Sequence, residues 1–473
     1  MKSLFVTSEA YPFAVSGGLG DVAGALPAAL RKRFVGCRVV MPLYEDVPQH
    51  LRDGMQFIGS ISVPVAWRRQ YCGIFETKVG GVTYYLLDNQ YYFKRAGLYG
   101  YYDDAERFAF FARAALEILP VIDYIPDIIH CNDWQTALLP VYYSLIYAHK
   151  PGYENIKTLL TIHNIQYQGK YGYDVLEDVF GIPAYAHSLL DYDGCANILK
   201  GGIESANAVN TVSPTYAKEI MDPWFSYGLD GILKERAWKL SGIINGIDTE
   251  VYNPATDSMI EANYSADDMA GKAVNKAALQ KAMGLPQNPD IPLIGIVTRL
   301  VSQKGLDLVQ YAMEHLLEQD VQFVILGSGD WAYENYFTQM AEKYPEKLGL
   351  KIGFIPTLAH QIYAGADLFL MPSKFEPCGL AQLVALRYGT LPIVRETGGL
   401  KDTIVDCGDP NGYGFTFQTY NGDDMADAVQ RALSLYADKS AWNAAVSRAM
   451  AQDNSWNTSA GEYIKLYKSI VEG

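Results

Sequence analysis

The sequence predicts an α/β protein built from two doubly wound domains, and three observations carry that expectation. Short apolar runs alternate with longer amphipathic segments along the whole chain, the pattern of parallel sheets covered by helices. The alternation loosens around residues 241–292 and then restarts. A chain of 473 residues also exceeds what one hydrophobic core organises.

In the first half, "SLFVTSE", "CRVVMPLY", "PDIIHCND", "TLLTIHN" and "ANAVNTVS" read as buried strands. Each of the last three ends in polar residues and runs into a turn or helix. Open α/β sheets bind ligands just beyond the carboxyl ends of their strands. That rule nominates His130, Asn132, Asp133, His163, Asn164 and Ser213. The loosened stretch holds "SGIINGIDTEVYNPATD" and "GLPQNPDIP", so the domain boundary is expected near residue 245. Beyond it, "LIGIVTRL" is a strand ending at Arg299, "GLDLVQYAMEHLLEQ" a helix and "QFVILGSGD" a strand. "DLFLMPS" is a strand, "LAQLVALRYG" a helix and "LPIVRET" a strand.

The formal net charge is −15. A field of that sign repels nucleic acid and anionic membrane, so neither is an expected partner. An anionic substrate has to meet a local basic pocket. The six cysteines stand singly, which argues against a disulfide scaffold and a structural zinc site. "MKSLFVTSEAYPF" fits neither a signal nor a transit peptide. No apolar run approaches the roughly 20 residues that span a bilayer. A cytoplasmic location is expected. Asp191 and Asp193 in "DYDGC" read as a solvated turn, so no metal and no cofactor is expected.

Three glycine turns stand at strand-to-helix junctions. "AVSGGLGDVAG" looks like a phosphate cradle, since bare amides and a helix N-terminus attract anions. Its only charge is Asp21. "VTRLVSQKGLDLV" sets Arg299 and Lys304 beside a helix start, a guanidinium fork and a point charge suited to a diphosphate. "PSKFEPCGLAQLVALRYG" places the amides of Gly379, Leu380 and Ala381 at a helix start. Glu376 just ahead of them suits sugar hydroxyls, because a carboxylate accepts strong hydrogen bonds. "RETGGLKDTIVD" supplies the third turn, with Thr397 and Gly398. The spread of the turns over both halves suggests a ligand held between two domains. There is no GxGxxG, HExxH, GxSxG or GxxxxGK[ST] pattern. Thirty-five tyrosines lean toward a carbohydrate ligand, since aromatic faces stack on sugars.

"SEAYPFAVSGGLGDVAGALPAAL", "HCNDWQTALLPVY", "TIHNIQYQG", "TVSPTYAKEI", "YGLDGILKERAWKLSGIINGID", "TRLVSQKGLDL", "PSKFEPCGL" and "TGGLKDTIVD" resemble, in order, the signatures of the bacterial glycogen synthase and plant starch synthase family. "SWNTSAGEYIKLY" resembles that family's closing helix. The resemblance implies the GT-B fold, with the active site in the cleft between two Rossmann-like domains at 1–245 and 246–455. The helix at 456–473 would cross back to the first domain. It further implies retaining transfer of glucose from a nucleotide sugar, ADP-glucose or UDP-glucose, to the non-reducing end of an α-1,4-glucan. Glycogen, starch or a maltooligosaccharide would be the acceptor.

Carried over residue by residue, Arg299 and Lys304 would hold and stabilise the diphosphate. Glu376, His163 and Asp133 would position the transferred glucose. Gly17, Gly18, Phe354, Gly379, Leu380, Ala381, Thr397 and Gly398 would bind the nucleotide sugar. Asp21, Asn164, Tyr167 and Asn245 would serve the acceptor. Two departures stand out. Val15 occupies the position of the lysine in the family's K-[TV]-G-G-L pattern, and Ala381 replaces a common threonine. The missing loop cation leaves the donor nucleotide open and keeps a glucan-binding homologue with weakened catalysis as an alternative.

Overall fold

A nine-stranded sheet forms the centre of the first unit, which comprises Met1–Asn245 and Trp456–Gly473 in a computed structural model describing Met1 to Gly473. Its strands run, in spatial order, Leu240–Gly242, Ala208–Thr211, Lys157–Ile162, Ile128–Asn132, Lys2–Val6, Gly36–Pro42, Val82–Asp88, Arg68–Val79 and Gln56–Val65. The first seven pair in parallel; five of them are the strands expected from the sequence, while Val82–Asp88 and Leu240–Gly242 were not read from it. The last two strands add an antiparallel edge that the sequence reading did not include. That edge is wetted, so its strands mix polar and apolar residues and lack a continuous apolar signal.

Chain direction across this sheet reverses about Lys2–Val6. The chain moves outward to Gly36–Pro42 on one side and to Ile128–Asn132 on the other. A crevice opens beyond the strand ends at such a reversal. The loops leaving those two strands carry Glu9 with the first glycine turn, and Asp133.

Helix Trp456–Glu472 belongs to this unit and lies beside helix Gly18–Lys32. It buries Tyr463 and Tyr467 completely. The Tyr467 hydroxyl meets His130 Nδ1 at 2.7 Å, and His130 Nε2 meets Thr161 Oγ1 at 2.5 Å. Thr161 bonds Asn210, and Asn210 Nδ2 reaches the Tyr463 hydroxyl at 3.4 Å. His130 is therefore a core residue fastening the final helix, correcting its nomination for the ligand crevice. Its position at a strand's polar end is real, but the side chain turns inward.

Burial pushes the His130 imidazole well below its usual pKa. The folded chain then binds fewer protons than the unfolded chain below about pH 6.5, so this group's contribution is present above that pH and lost as pH falls. Urea melts at pH 7.5 and pH 5 should show about 2 kcal/mol less acid sensitivity in His130→Gln than in the native chain. An identical pH dependence in the two proteins would overturn the assignment.

The second unit, Gly246–Ser455, has a six-stranded parallel sheet. Its spatial order is Leu348–Ile352, Gln322–Gly327, Leu293–Val297, Leu368–Met371, Leu391–Arg395 and Phe415–Phe417. In chain order this is 3-2-1-4-5-6, the doubly wound arrangement. The two outermost strands were not read from the sequence. The reversal falls between Leu293–Val297 and Leu368–Met371, so the loops leaving those strands define the crevice.

Two boundaries differ from expectation. The strand stops at Val297, two residues before Arg299, which sits in the loop. The helix expected over "LAQLVALRYG" is Ala381–Arg387, so Gly379 and Leu380 precede its first turn. Gly379 adopts φ +72°, a left-handed conformation that suits glycine and lies ahead of the helix.

Candidate active site

In the first unit, the glycine turn is organised by a residue the sequence reading passed over. Glu9 is 3% exposed, and its carboxylate braces the turn at both ends. Ser16 N–H donates to Oε2 at 2.7 Å and Gly20 N–H donates to Oε1 at 3.1 Å. Gly20 N–H also donates to the Gly17 carbonyl at 3.1 Å. Two amides of the expected phosphate cradle are thus already taken up by an anion. Gly17 is the extended residue ahead of helix Gly18–Lys32, and Asp21 lies exposed in that helix's first turn. Val15 packs on Gly20: a Cβ there would come within 2.7 Å of its methyl carbon.

Across the sheet reversal, Asp133 has φ +55° and ψ −176°, a region that L side chains rarely occupy. Such strain, on the order of 1–3 kcal/mol, persists where surrounding structure enforces it and clusters at functional sites. Here the enforcers are visible. Asp133 N–H donates to the Thr161 carbonyl at 2.9 Å, and Oδ1 accepts from His163 N–H at 2.7 Å and Asn164 N–H at 3.4 Å. Burial is the main cause that pushes the Asp133 carboxyl up to about 7.

The neighbouring His163 ring is driven the opposite way by burial, down to about 3, so it is neutral at physiological pH. Its Nε2 lies 2.9 Å from Asn132 Oδ1. Because Asn132 Nδ2 donates to the Val6 carbonyl at 3.0 Å, Oδ1 is the acceptor and His163 carries its proton on Nε2. Nδ1 then offers a lone pair. Asn164 uses its own Oδ1 to accept from Gln166 N–H at 3.0 Å.

Tyr167 is half exposed and lines a hollow of about 350 Å³ with Trp134, Gln166, Gln168, Gly169, Lys170 and Tyr227. Asn245 is 6% exposed and its Oδ1 has no hydrogen-bond partner.

In the second unit, loops 298–305, 372–380 and 396–399 interlock backbone to backbone. Gly305 has φ +71°, and a Cβ on it would sit 2.0 Å from the Pro372 carbonyl oxygen. Gly398 has φ +46°, and a Cβ there would lie 1.9 Å from the Glu376 carbonyl oxygen. Only glycine allows that approach. Lys374 N–H donates to the Gln303 carbonyl at 2.8 Å, and Gly399 N–H donates to the Glu376 carbonyl at 3.2 Å.

This interlocking sets Lys304 against Glu376. Lys304 Nζ donates to Glu376 Oε2 at 2.7 Å, and Ser373 Oγ donates to the same oxygen at 2.9 Å. Ser373, a second residue sequence reasoning missed, is buried at 1% exposure. Oε2 is thus held by two donors. Arg299 is exposed in the same loop as Lys304. Phe354 is 90% exposed after strand Leu348–Ile352. Thr397 is buried at the head of helix Gly398–Thr403. Leu380 and Ala381 stand where strand Leu368–Met371 has turned into its helix.

The structure brings some of the expected residues together in each unit, while Phe354 follows the outermost strand of the second sheet and Asn245 the outermost strand of the first. Asp133, His163 and Asn164 are joined directly, as are Lys304 and Glu376. An anionic group suits the second set, through Lys304 and Arg299. Neutral hydroxyl-bearing groups suit the first, where the donors and acceptors are an imidazole, amides and carboxylates.

Comparison with known proteins agrees along the whole length. Residues 2–235 match the starch synthase catalytic domain model and residues 281–447 match the model for glycosyl transferases group 1. The chain is 52% identical over 476 residues to a glycogen synthase of Bacillus cereus, covering 100% of both. It is 50% identical to one of Clostridium perfringens, covering 100% of this chain and 99% of that one. The solved catalytic domain of starch synthase IV from Arabidopsis thaliana, bound to ADP and acarbose, superposes with a TM-score of 0.91 at 36% identity, covering 100% of this chain and 99% of that chain. Sucrose-phosphate synthase from Thermosynechococcus elongatus shares the fold at a TM-score of 0.63 and 16% identity, covering 100% and 99% of the respective chains. Likeness of that extent, over both units and the closing helix, makes this chain a member of the glycogen synthase and starch synthase family of GT-B glycosyltransferases.

Proposed function

We propose that this enzyme transfers glucose from ADP-glucose to the non-reducing end of an α-1,4-glucan such as glycogen, starch or a maltooligosaccharide, with retention of configuration. The observation that carries the reading is the Lys304–Glu376–Ser373 cluster, with Arg299 in the adjoining loop. It joins cations for a diphosphate to an oriented carboxylate oxygen for sugar hydroxyls. The Arabidopsis relative, bound to ADP and acarbose, supports adenosine diphosphate as the leaving nucleotide.

In this reading Arg299 and Lys304 bind the donor's diphosphate, Phe354 lies against the base, and Gly379–Ala381, Thr397 and Gly398 line the nucleotide sugar. Glu376 Oε1 accepts from hydroxyls of the transferred glucose, and His163 Nδ1 accepts from another. Asp133 holds the His163 and Asn164 backbone in place and faces the sugar. The bond between anomeric carbon and diphosphate oxygen breaks as the two cations take up the growing charge. The acceptor's 4-hydroxyl attacks from the side the diphosphate leaves and gives its proton to a departing phosphate oxygen. The products are ADP and a glucan one residue longer.

Gly17 and Gly18 keep the first turn low enough for the donor to approach, and Asp21, Asn164, Tyr167 and Asn245 meet the acceptor. Val15 brings no charge, so the donor's phosphates rely on the second unit's cations. UDP-glucose is the competing donor for that reason.

Incorporation of radiolabelled glucose into glycogen, run in parallel with ADP-glucose and UDP-glucose, tests this. ADP-glucose is expected to be the better donor. Val15→Lys should raise kcat/KM for ADP-glucose by about 10-fold, the worth of one charge-assisted contact. Incorporation from neither donor would overturn the proposed function.

A further inference from the structure

We infer that Glu9 is a positioning residue for glucosyl transfer: its carboxylate, standing in for a bound anion, fixes the glycine turn and sets the charge beside Asp133. The inference rests on the proposed function and concerns a residue whose side chain touches neither reacting group.

Geometry carries it. Glu9 follows strand Lys2–Val6 and its main-chain carbonyl accepts from Thr7 Oγ1 at 2.7 Å, which anchors the residue to the sheet. From that anchor its two carboxylate oxygens reach the two ends of the turn, Ser16 and Gly20. A glycine turn without a Cβ at 17 and 18 has little to hold it in one shape, since glycine visits both signs of φ. The two charge-assisted bonds supply that constraint from outside the turn. They also decide what the turn does. Two of its amides, those of Ser16 and Gly20, are withheld from an incoming anion, which is left to those of Gly17 and Gly18.

The second consequence is electrostatic. The groups facing Asp133 are the neutral His163, the hydroxyls of Tyr99 and Tyr216, and Glu9. Among these Glu9 alone is an acid, and its charge adds to burial in raising the Asp133 carboxyl. Burial likewise raises Glu9, against the amide donors that favour its anion. Two buried carboxyls in one crevice thereby divide the work. The one braced by Ser16 and Gly20 holds the turn, and the one on the strained Asp133 backbone titrates near neutrality.

The test uses the full chain with Glu9→Gln and Glu9→Asp, measuring kcat and KM for ADP-glucose, KM for glycogen, the pH profile of kcat/KM and thermal melting. Glu9→Gln keeps the volume, but its amide cannot accept from both N–H groups and carries no charge. Its kcat/KM should fall about 10²-fold, the scale of a small misplacement of reacting groups. The pH limb near 7 should move to lower pH because the like charge is gone. Glu9→Asp keeps the charge but is one methylene short of bridging the turn, so it should lose rate while its pH limb stays.

Wild-type kinetics and an unmoved limb in Glu9→Gln would overturn the inference. So would a loss accounted for by a reduced folded fraction, with the remaining enzyme showing the native pH profile. Absence of transfer in the wild type would instead count against the proposed function itself.

Discussion

Lys304→Ala should lower kcat by about 10²–10³-fold, equivalent to about 2.7–4 kcal/mol of transition-state stabilisation, by analogy with the loss of a single oxyanion donor. Two effects act in the same direction. The departing diphosphate loses a cation at the moment its charge grows. Glu376, whose Oε2 now bonds Lys304 at 2.7 Å, is left with Ser373 as its remaining donor in a buried setting. A buried carboxylate that has lost its counter-charge favours a different rotamer, which would spoil the proposed grip on the sugar. Lys304→Arg should recover little, because a planar fork does not reproduce a compact ammonium between a carboxylate and a phosphate. Steady-state kinetics at saturating glycogen and ADP-glucose are the measurement. A fall of only a few-fold would remove Lys304 from the chemical step and assign the leaving-group charge to Arg299.

The second large effect is expected from a single methyl group. Gly398→Ala places a Cβ 1.9 Å from the Glu376 carbonyl oxygen at a residue with φ +46°. The obstacle is backbone, so no rotamer change relieves it. Backbone strain of about 1–2 kcal/mol combines with an overpacking cost of about 1–3 kcal/mol. For a unit of this size that corresponds to a melting shift on the order of 5–15 °C. Activity should fall further than stability does, because the chain displaced by the clash is the one that carries Glu376. Differential scanning calorimetry together with specific activity at 20 °C separates the two. A variant that melts like the native protein and retains its rate would show that loop 372–380 yields without cost.

Parallel strands were readable because burial on both faces leaves runs such as "PDIIH" and "LFLM" with little polar interruption. The same property hid His130. A strand buried on both sides has no alternation to tell which face a polar residue points to, and its partner Tyr467 lies 337 positions away. The antiparallel edge at 56–79 was missed because its strands are largely wetted. The structure pairs Lys304 with Glu376, and with Arg299 these were visible in the sequence as charges beside glycine turns, an uncommon conjunction. Glu9 and Ser373 were not. Each acts by a side-chain bond to backbone or to another side chain, and an acid or a serine in a loop carries no sign of what it will meet. Gly398 was expected to bind the nucleotide sugar; in the structure its bare Cα, like that of Gly305, lets one loop lie against another.

Closing helix Trp456–Glu472 sits in the same unit as strand Lys2–Val6, while residues 246–455 complete a sheet of their own. Synthesis therefore runs through the whole of the later sheet before the earlier one receives its final wall. Until then His130 and its polar partners have no tyrosines over them. The nascent first unit must wait on the ribosome with a hydrated seam, whereas the second has every residue it needs as soon as it emerges. A translation product stopped just short of Trp456 should thus contain one finished lobe and one that recruits chaperones.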